Sequence, residues 1–264
     1  MMREPIIHVA IQAARSAGNI ISRAANRLDK VIVSEKMPND FVTDVDQRAE
    51  REIIAVIHKA YPSHAILGEE SGSTSGDDYQ WIIDPLDGTR NFIHGFPHFA
   101  VSIGVMYREK IEYGVIYDPM RQELFTAKRG CGAQVNDRRM RVAARRELSE
   151  CLLATGFAAR HRPHPPNQHE LTEGLQKLLP LCGDIRRAGA AALDLAYVAA
   201  GRLDGFWEFG LKRWDIAAGI LLVKEAGGMI VDPMGGENYW QTGDVVAANP
   251  TILKQVLRAI KPLT

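Results

Sequence analysis

Apolar residues recur at helical spacing over residues 6–25 (IIHVAIQAARSAGNIISRAA), and the small residues among them predict a helix that packs closely. A polar stretch, Ser34 to Asp40, breaks the pattern and predicts a loop. A second helix is expected from near Thr43 to about Ala60, with Ala49, Ile53, Ile54, Val56 and Ile57 on its buried side and Pro62 ending it. From residue 65 to 136 the texture changes to short β-rich runs: AILG, YQWIID, FAVSIGVMY, IEYGVIYD, ELFTAK and AQVN. Turn residues such as Gly76-Asp77-Asp78 and Asp118-Pro119 separate them, predicting a mainly antiparallel meander flanked by the two helices.

After about residue 148 strands and helices alternate. Strands are expected at CLLATGF, DIRRAG, DGFWEF, MIVD and DVVAAN, and helices at 167–179, 190–200, 215–226 and 251–260. The chain therefore divides into an α+β half over 1–147 and an α/β half over 148–264. The segment Arg160–His169 holds three histidines and three prolines and predicts a surface loop.

The length of 264 residues supports a large core without covalent staples. Lys plus Arg numbers 32 and Asp plus Glu also 32, a formal net charge of zero, so bulk charge supplies no direct, tight grip on nucleic acid. The longest apolar run, 216–223, is too short to cross a membrane, and the start has no basic region leading into an apolar one, so a cytoplasmic protein is expected. Cys131, Cys151 and Cys182 fit neither a disulfide framework nor a zinc site and are expected to be buried, inert thiols.

The chemistry concentrates in Trp81-Ile82-Ile83-Asp84-Pro85-Leu86-Asp87-Gly88-Thr89-Arg90-Asn91. An apolar strand runs into Asp84, and Pro85 cannot continue a central ladder, so a turn is expected there. Two carboxylates, a glycine and a hydroxyl then follow within six residues, and Gly88 permits close backbone approach to an anion. Other acids occur in similar contexts: Glu69 after the run Ala65–Leu67, Asp215 before an apolar helix, and Asp46 three residues after Thr43. Each also has a structural role open to it. Asp215 suits a helix N-cap, Glu69 and Glu70 a solvated turn, and Asp46 a capping box with Thr43.

Were these acids to converge, two like charges about 4 Å apart would repel by about 4 kcal/mol at an effective dielectric near 20. They would need cations to stay ionised together. The ligands are all oxygens, which selects Mg²⁺, with Mn²⁺ next, over zinc. Such a site beside backbone donors suits phosphoryl transfer to water.

DFVTDVD (40–46), GEES (68–71), WIIDPLDGTRNF (81–92) and WDIAAG (214–219) together resemble the inositol monophosphatase family, in order and over essentially the whole chain. The tracts AVSIGV, YDPMRQELFTAKRGCGAQVN, DLAYVAAGRLDGFWEFGL and KEAGG are similar to its bacterial SuhB-type branch. The resemblance implies a layered αβαβα sugar-phosphatase fold and a homodimer. It also implies Mg²⁺-dependent, lithium-sensitive hydrolysis of a small phosphomonoester. Two or three ions per site are implied: the first on Glu69, Asp84 and the Leu86 carbonyl, the second on Asp84, Asp87 and Asp215, a weaker third near Glu69. Thr89 with Glu69 would activate the attacking water, and Asp46 would bond the Thr89 hydroxyl. The Gly88 and Thr89 N–H groups would bind phosphate, beside Leu86, Asp87 and Asp215. Glu208 would hold an inositol hydroxyl, with Ala190, Ala191 and Arg186 lining the substrate end, and Lys36 would lie in a loop closing over the metals.

One position departs from the family's usual D-G-T-T-N: Arg90 stands where the second threonine is expected. Its side chain either attracts phosphate or points to solvent and pairs with an outer acid; the second is the expectation. Within the superfamily the rival substrates are fructose 1,6-bisphosphate and 3′-phosphoadenosine nucleotides. A haloacid-dehalogenase-type D-G-T site would need its aspartates one residue apart, whereas two residues separate Asp84 from Asp87. The SuhB-type resemblance also implies a different class of role: transcription antitermination and ribosomal RNA maturation through Nus factors and RNA polymerase.

Overall fold

In the computed structural model, which describes residues 5–37, 40–158 and 168–260, the N-terminal apolar stripe forms helix α1 (Ile6–Ala25). It buries Val9, Ala10, Ala13, Ala14, Ala17 and Ile21, a face narrow enough for close packing against α2 (Asp44–Ala60). Between them, the segment expected to be a loop pairs as an antiparallel hairpin of β1 (Val33–Met37) and β2 (Asp40–Thr43). Val33, Phe41 and Val42 favour extended pairing within that polar context. The loop expected to carry Lys36 thus falls on this hairpin, of which residues 38–39 lie outside the described ones.

The β-rich region forms β3 (Ala65–Gly68), β4 (Gly72–Ser73), β5 (Tyr79–Asp87), a short helix α3 (Thr89–Ile93), β6 (Ala100–Tyr107), β7 (Lys110–Asp118), β8 (Glu123–Lys128), β9 (Gly132–Val135) and β10 (Arg138–Arg139). They make one eight-stranded sheet in the order β10-β9-β8-β7-β6-β5-β3-β4. Its neighbours are antiparallel except β3 and β5, which run parallel because β4 first reverses the chain along the outer edge of β3 and the chain then crosses to its inner side. Strand β5 does not stop at Pro85. It passes through a bulge and pairs again at Asp87, a correction to the turn expected there.

The second half supplies β11 (Leu152–Thr155), α4 (Gln168–Leu178), β12 (Asp184–Arg186), α5 (Ala191–Ala199), β13 (Gly205–Glu208), α6 (Arg213–Glu225), β14 (Met229–Val231), α7 (Tyr239–Thr242), β15 (Val245–Ala248) and α8 (Pro250–Ile260). Its five-stranded sheet has the order β12-β11-β13-β15-β14. The prolines and histidines between 160 and 167 lie outside the described residues.

Helices α1 and α2 cover one face of the large sheet, α5 and α6 fill the space between the sheets, and α4 and α8 cover the far side. The layering is αβαβα, as expected, and an apolar cluster occupies each gap. Helix α6 is buried from Ile216 to Val223 with no polar stripe, because sheet lies on both sides of it. It seats closely on β6 and β7, where a Cβ at Gly104 would stand 2.6 Å from Ala217 Cβ and one at Gly114 2.8 Å from the Ala218 carbonyl. Ser102 Oγ donates to the Trp214 carbonyl at 3.2 Å, fixing the start of α6 beside β6.

Among the described residues no helix is long and apolar enough to cross a membrane. The cysteines are free, but only Cys151 is fully buried: Cys131 is exposed and Cys182 partly so, contrary to expectation. Burial pushes the Cys151 thiol up to about 12, so that one is inert.

Candidate active site

Three residues apart on a regular strand, Asp84 and Asp87 would face opposite sides. The bulge changes this. Asp84 stands opposite Ser102 and Asp87 opposite Ala100, so one extra residue on β5 inverts the alternation and puts both carboxylates on one face. The apolar positions register the same inversion, since Trp81, Ile83 and Leu86 all enter the core beneath α1 and α2. Asp84 Oδ1 accepts the Leu86 N–H at 2.9 Å, and Asp87 Oδ2 accepts the Ala192 N–H at 2.7 Å from the first turn of α5.

Beyond the strand the chain turns through Gly88, whose φ of +93° suits glycine. A Cβ there would also lie 2.9 Å from the His98 carbonyl. The turn delivers Thr89, whose hydroxyl is 3.0 Å from Asp46 Oδ1 and 3.0 Å from the Leu86 carbonyl. Asp46 makes its expected capping box with Thr43, whose N–H it accepts at 2.9 Å, and bonds Thr89 as well. The structural and the functional roles open to it coexist.

Glu69 follows β3 and lines the cleft with Asp87, Gly88, Thr89 and Asp215. Helix α6 begins at Arg213, so Asp215 is its third residue rather than its N-cap, and its Oδ2 accepts the Lys212 N–H at 2.7 Å. Asp84 lies fully buried behind them. Its carboxyl is lifted well above the usual carboxylate range, by burial first and then by the charges of Glu69, Asp87 and Asp215. Asp87 is raised by burial and by Asp215, against the Ala192 hydrogen bond, with Asp194 and Glu208 adding to the rise. Four carboxylates thus share one electrostatic field. Among the described residues, no three Asp, Glu, His or Cys side chains are gathered tightly enough to grip one ion as they stand. The donor set, all oxygen and mutually repelling, matches a hard cation.

The cleft walls carry cations. Arg90 is partly exposed and lines the cleft with its guanidinium 5.1 Å from the Phe41 ring centroid, and Phe41 lines it too. Opposite, Arg187 lies 5.8 Å from the Phe157 ring centroid, and both line the cleft. Arg186 is exposed, outside the lining, and pairs with Asp184, which lies two residues away on the same side of β12. Ala191 and Glu208 line the cleft, and Ala190 packs behind Gly88. Glu208 Oε1 accepts the Ala158 N–H at 2.9 Å.

Several residues had gone unassigned. Asn91 Nδ2 donates to the His98 carbonyl at 2.7 Å and the Ala188 carbonyl at 2.9 Å, tying the Thr89 turn to the loop before α5. Asp194 is buried beside Glu208 and Arg187, and its carboxyl is raised well above the usual range by burial and by Glu208. Glu50 is buried on α2, one turn beyond Asp46. An acid set into the apolar stripe of α2 was the one signal available for Glu50.

A family model described as the inositol monophosphatase family matches residues 2–263. The chain is 52% identical over 263 residues to the protein named Nus factor SuhB of Pseudomonas aeruginosa, covering 98% of this chain and 97% of that one. Among solved structures it is similar to the extragenic suppressor protein SuhB of Bartonella henselae, with a TM-score of 0.93 and 46% identity over 98% of this chain and 99% of that one. The inositol monophosphatase of Anabaena (Nostoc) sp. PCC 7120 gives a TM-score of 0.84 and 38% identity over 96% and 94% of the two chains.

Proposed function

The chain belongs to the inositol monophosphatase family, and from that premise we propose that it is a Mg²⁺-dependent phosphomonoesterase hydrolysing inositol 1-phosphate to inositol and phosphate. The observation that carries this reading is the shared field of Glu69, Asp84, Asp87 and Asp215 beside the fixed Thr89 hydroxyl. The N-terminal half, 1–147, supplies Glu69, Asp84, the Leu86 carbonyl, Asp87 and Thr89, and the half 148–264 supplies Asp215 and Glu208. The first four of these and Asp215 would hold two to three Mg²⁺ ions, with Mn²⁺ as a substitute. When bound, the metal neutralises the carboxylates and polarises the phosphate.

The remaining roles fall to the chain. The Thr89 hydroxyl donates its hydrogen bond to Asp46, which leaves an oxygen lone pair to orient the attacking water. Glu69 accepts a proton from that water. The backbone of Gly88 and Thr89 faces the phosphate oxygens, Arg90 and Arg187 draw the anion into the cleft, and Glu208 accepts a hydrogen bond from a substrate hydroxyl near Ala191. The alcohol leaves with a proton from solvent.

Phosphate release from inositol 1-phosphate with Mg²⁺, with and without lithium, tests the reading. Metal-dependent, lithium-sensitive release supports it, and no release from metal-replete protein overturns it. Clear preference for fructose 1,6-bisphosphate or a 3′-phosphoadenosine nucleotide would move the substrate within the superfamily. A homodimer is part of the same reading, and sedimentation of the pure protein tests it.

The 52% identity to a protein named Nus factor SuhB favours a second reading, action with Nus factors and RNA polymerase in antitermination. The two separate in an Asp87→Asn variant. Loss of hydrolysis with full rescue of a knockout's growth would assign the physiological role to the second reading.

A further inference from the structure

Helix α2 touches the cleft twice with one face. Asp46 reaches the Thr89 hydroxyl, and one turn later Glu50 reaches the segment that carries Glu69. Glu50 is 2% exposed, and both of its oxygens are used: Oε2 accepts the Glu70 N–H at 2.9 Å and Oε1 the Ser71 N–H at 2.7 Å. A buried carboxylate bonded to two backbone donors is a firm clamp, because each bond is charge-assisted and shielded from water. The clamp needs room. A Cβ on Gly68 would stand 2.6 Å from Glu50 Oε2 and 2.7 Å from Ser71 Oγ, so glycine before Glu69 lets the carboxylate in. On its other side, the Glu69 N–H donates to the Ile83 carbonyl of β5 at 3.1 Å.

We propose that Glu50 is a positioning residue for Glu69. With Asp46, it makes α2 a gauge that sets where the Glu69 carboxylate stands relative to the Thr89 hydroxyl. The inference rests on the reading of the cleft as a cation site. Residues i and i+4 on a helix are held about 6 Å apart with little freedom, so the two catalytic elements, one after β3 and one after β5, share a single rigid reference. Glu50 touches neither cation nor substrate and acts through the backbone of Glu70 and Ser71.

The test compares Glu50→Gln, which keeps the shape but faces one N–H with an amide, and Gly68→Ala, which crowds the clamp from the other side. Mn²⁺ affinity is read by calorimetry, and the Mg²⁺ concentration for half-maximal hydrolysis by assay. Loss of a group that orients a ligand costs about tenfold or more in metal affinity. Both variants are expected to weaken Mn²⁺ binding by about that factor and to lower kcat at saturating Mg²⁺ as well, because Glu69 also takes the proton of the attacking water. The double variant Glu50→Gln/Glu69→Gln should bind Mn²⁺ no worse than Glu69→Gln alone.

A merely structural role would lower the melting temperature of both variants and leave metal affinity unchanged, and that result overturns the proposal. Additive losses in the double variant overturn it as well. Should the wild-type protein bind Mn²⁺ but hydrolyse nothing, the calorimetry still decides Glu50's role while the phosphatase reading fails separately.

Discussion

The Thr89 hydroxyl is equidistant, at 3.0 Å, from the Asp46 carboxylate and the Leu86 carbonyl, and it has a single proton to give. An ionised Asp46 is the stronger acceptor, so in the proposed mechanism the hydroxyl donates its hydrogen bond there and the Leu86 carbonyl would keep both lone pairs for a cation. Thr89→Ala should lower kcat by about 10²–10³-fold, in the range of a lost proton-handling group, while Thr89→Ser retains most activity. Asp46→Asn should approach the Thr89→Ala loss, and the double variant should be little worse than either alone. Steady-state phosphate release at saturating Mg²⁺ checks all four.

Metal-free stability should fall as pH rises. Asp84, Asp87 and Asp194 each have a folded pKa well above the usual carboxylate value. In that window the folded state holds more protons than the unfolded chain. The contribution is therefore complete below the unfolded value and lost as pH climbs through the raised one. With chelator present, the melting temperature should be higher near pH 5 than near pH 8, and saturating Mg²⁺ should remove most of the difference. A flat profile with chelator would contradict the shared field.

Asp87→Asn should raise the melting temperature of the metal-free protein, because it removes a buried charge repelled by Asp215. It should also abolish most Mn²⁺ binding by calorimetry. Stability gained where function is lost is the signature of a carboxylate kept for a ligand.

Arg90→Thr should raise KM for an anionic substrate severalfold and flatten its salt dependence, with kcat little changed. Phe41→Ala should act in the same direction, since the ring holds the guanidinium against the cleft wall. KM measured at low and high ionic strength distinguishes this from a solvent-facing arginine, which would leave both values unmoved.

Asn91→Ala removes the bonds to the His98 and Ala188 carbonyls, which bridge two separate segments. Leaving such acceptors without their donor costs about 1–3 kcal/mol, read as a lower urea midpoint at an unchanged slope.

The layered architecture was legible because the apolar period changes where the architecture changes, from helical to strand-like near residue 65 and to alternation after 148. The hairpin β1–β2 was not, since a two-stranded ribbon buries little and needs no strong apolar pattern. The strand past Pro85 was missed because a bulge tolerates the lost N–H that an unbroken ladder would not. Within the cleft, the motif residues were visible as types, but Arg187, Asn91 and Glu50 act across long sequence separations. The contact of Arg90 with the Phe41 ring was not legible, because Phe41 lies on another element. Asp46 shows the limit of choosing between roles from spacing: the capping box and the Thr89 bond use different oxygens of one carboxylate.

The bulge in β5 has a consequence for how this chain can change. Substituting Pro85 leaves the count of residues between Asp84 and Asp87 intact. Deleting Leu86 would restore a regular pleat with Asp84 and Asp87 two residues apart, still on one face and still opposite Ser102 and Ala100, but without the carbonyl that stands 3.0 Å from the Thr89 hydroxyl. What the extra residue contributes is therefore a main-chain oxygen beside Thr89 and a side chain in the core beneath α1 and α2, so deleting Leu86 should cost activity although both carboxylates keep their face.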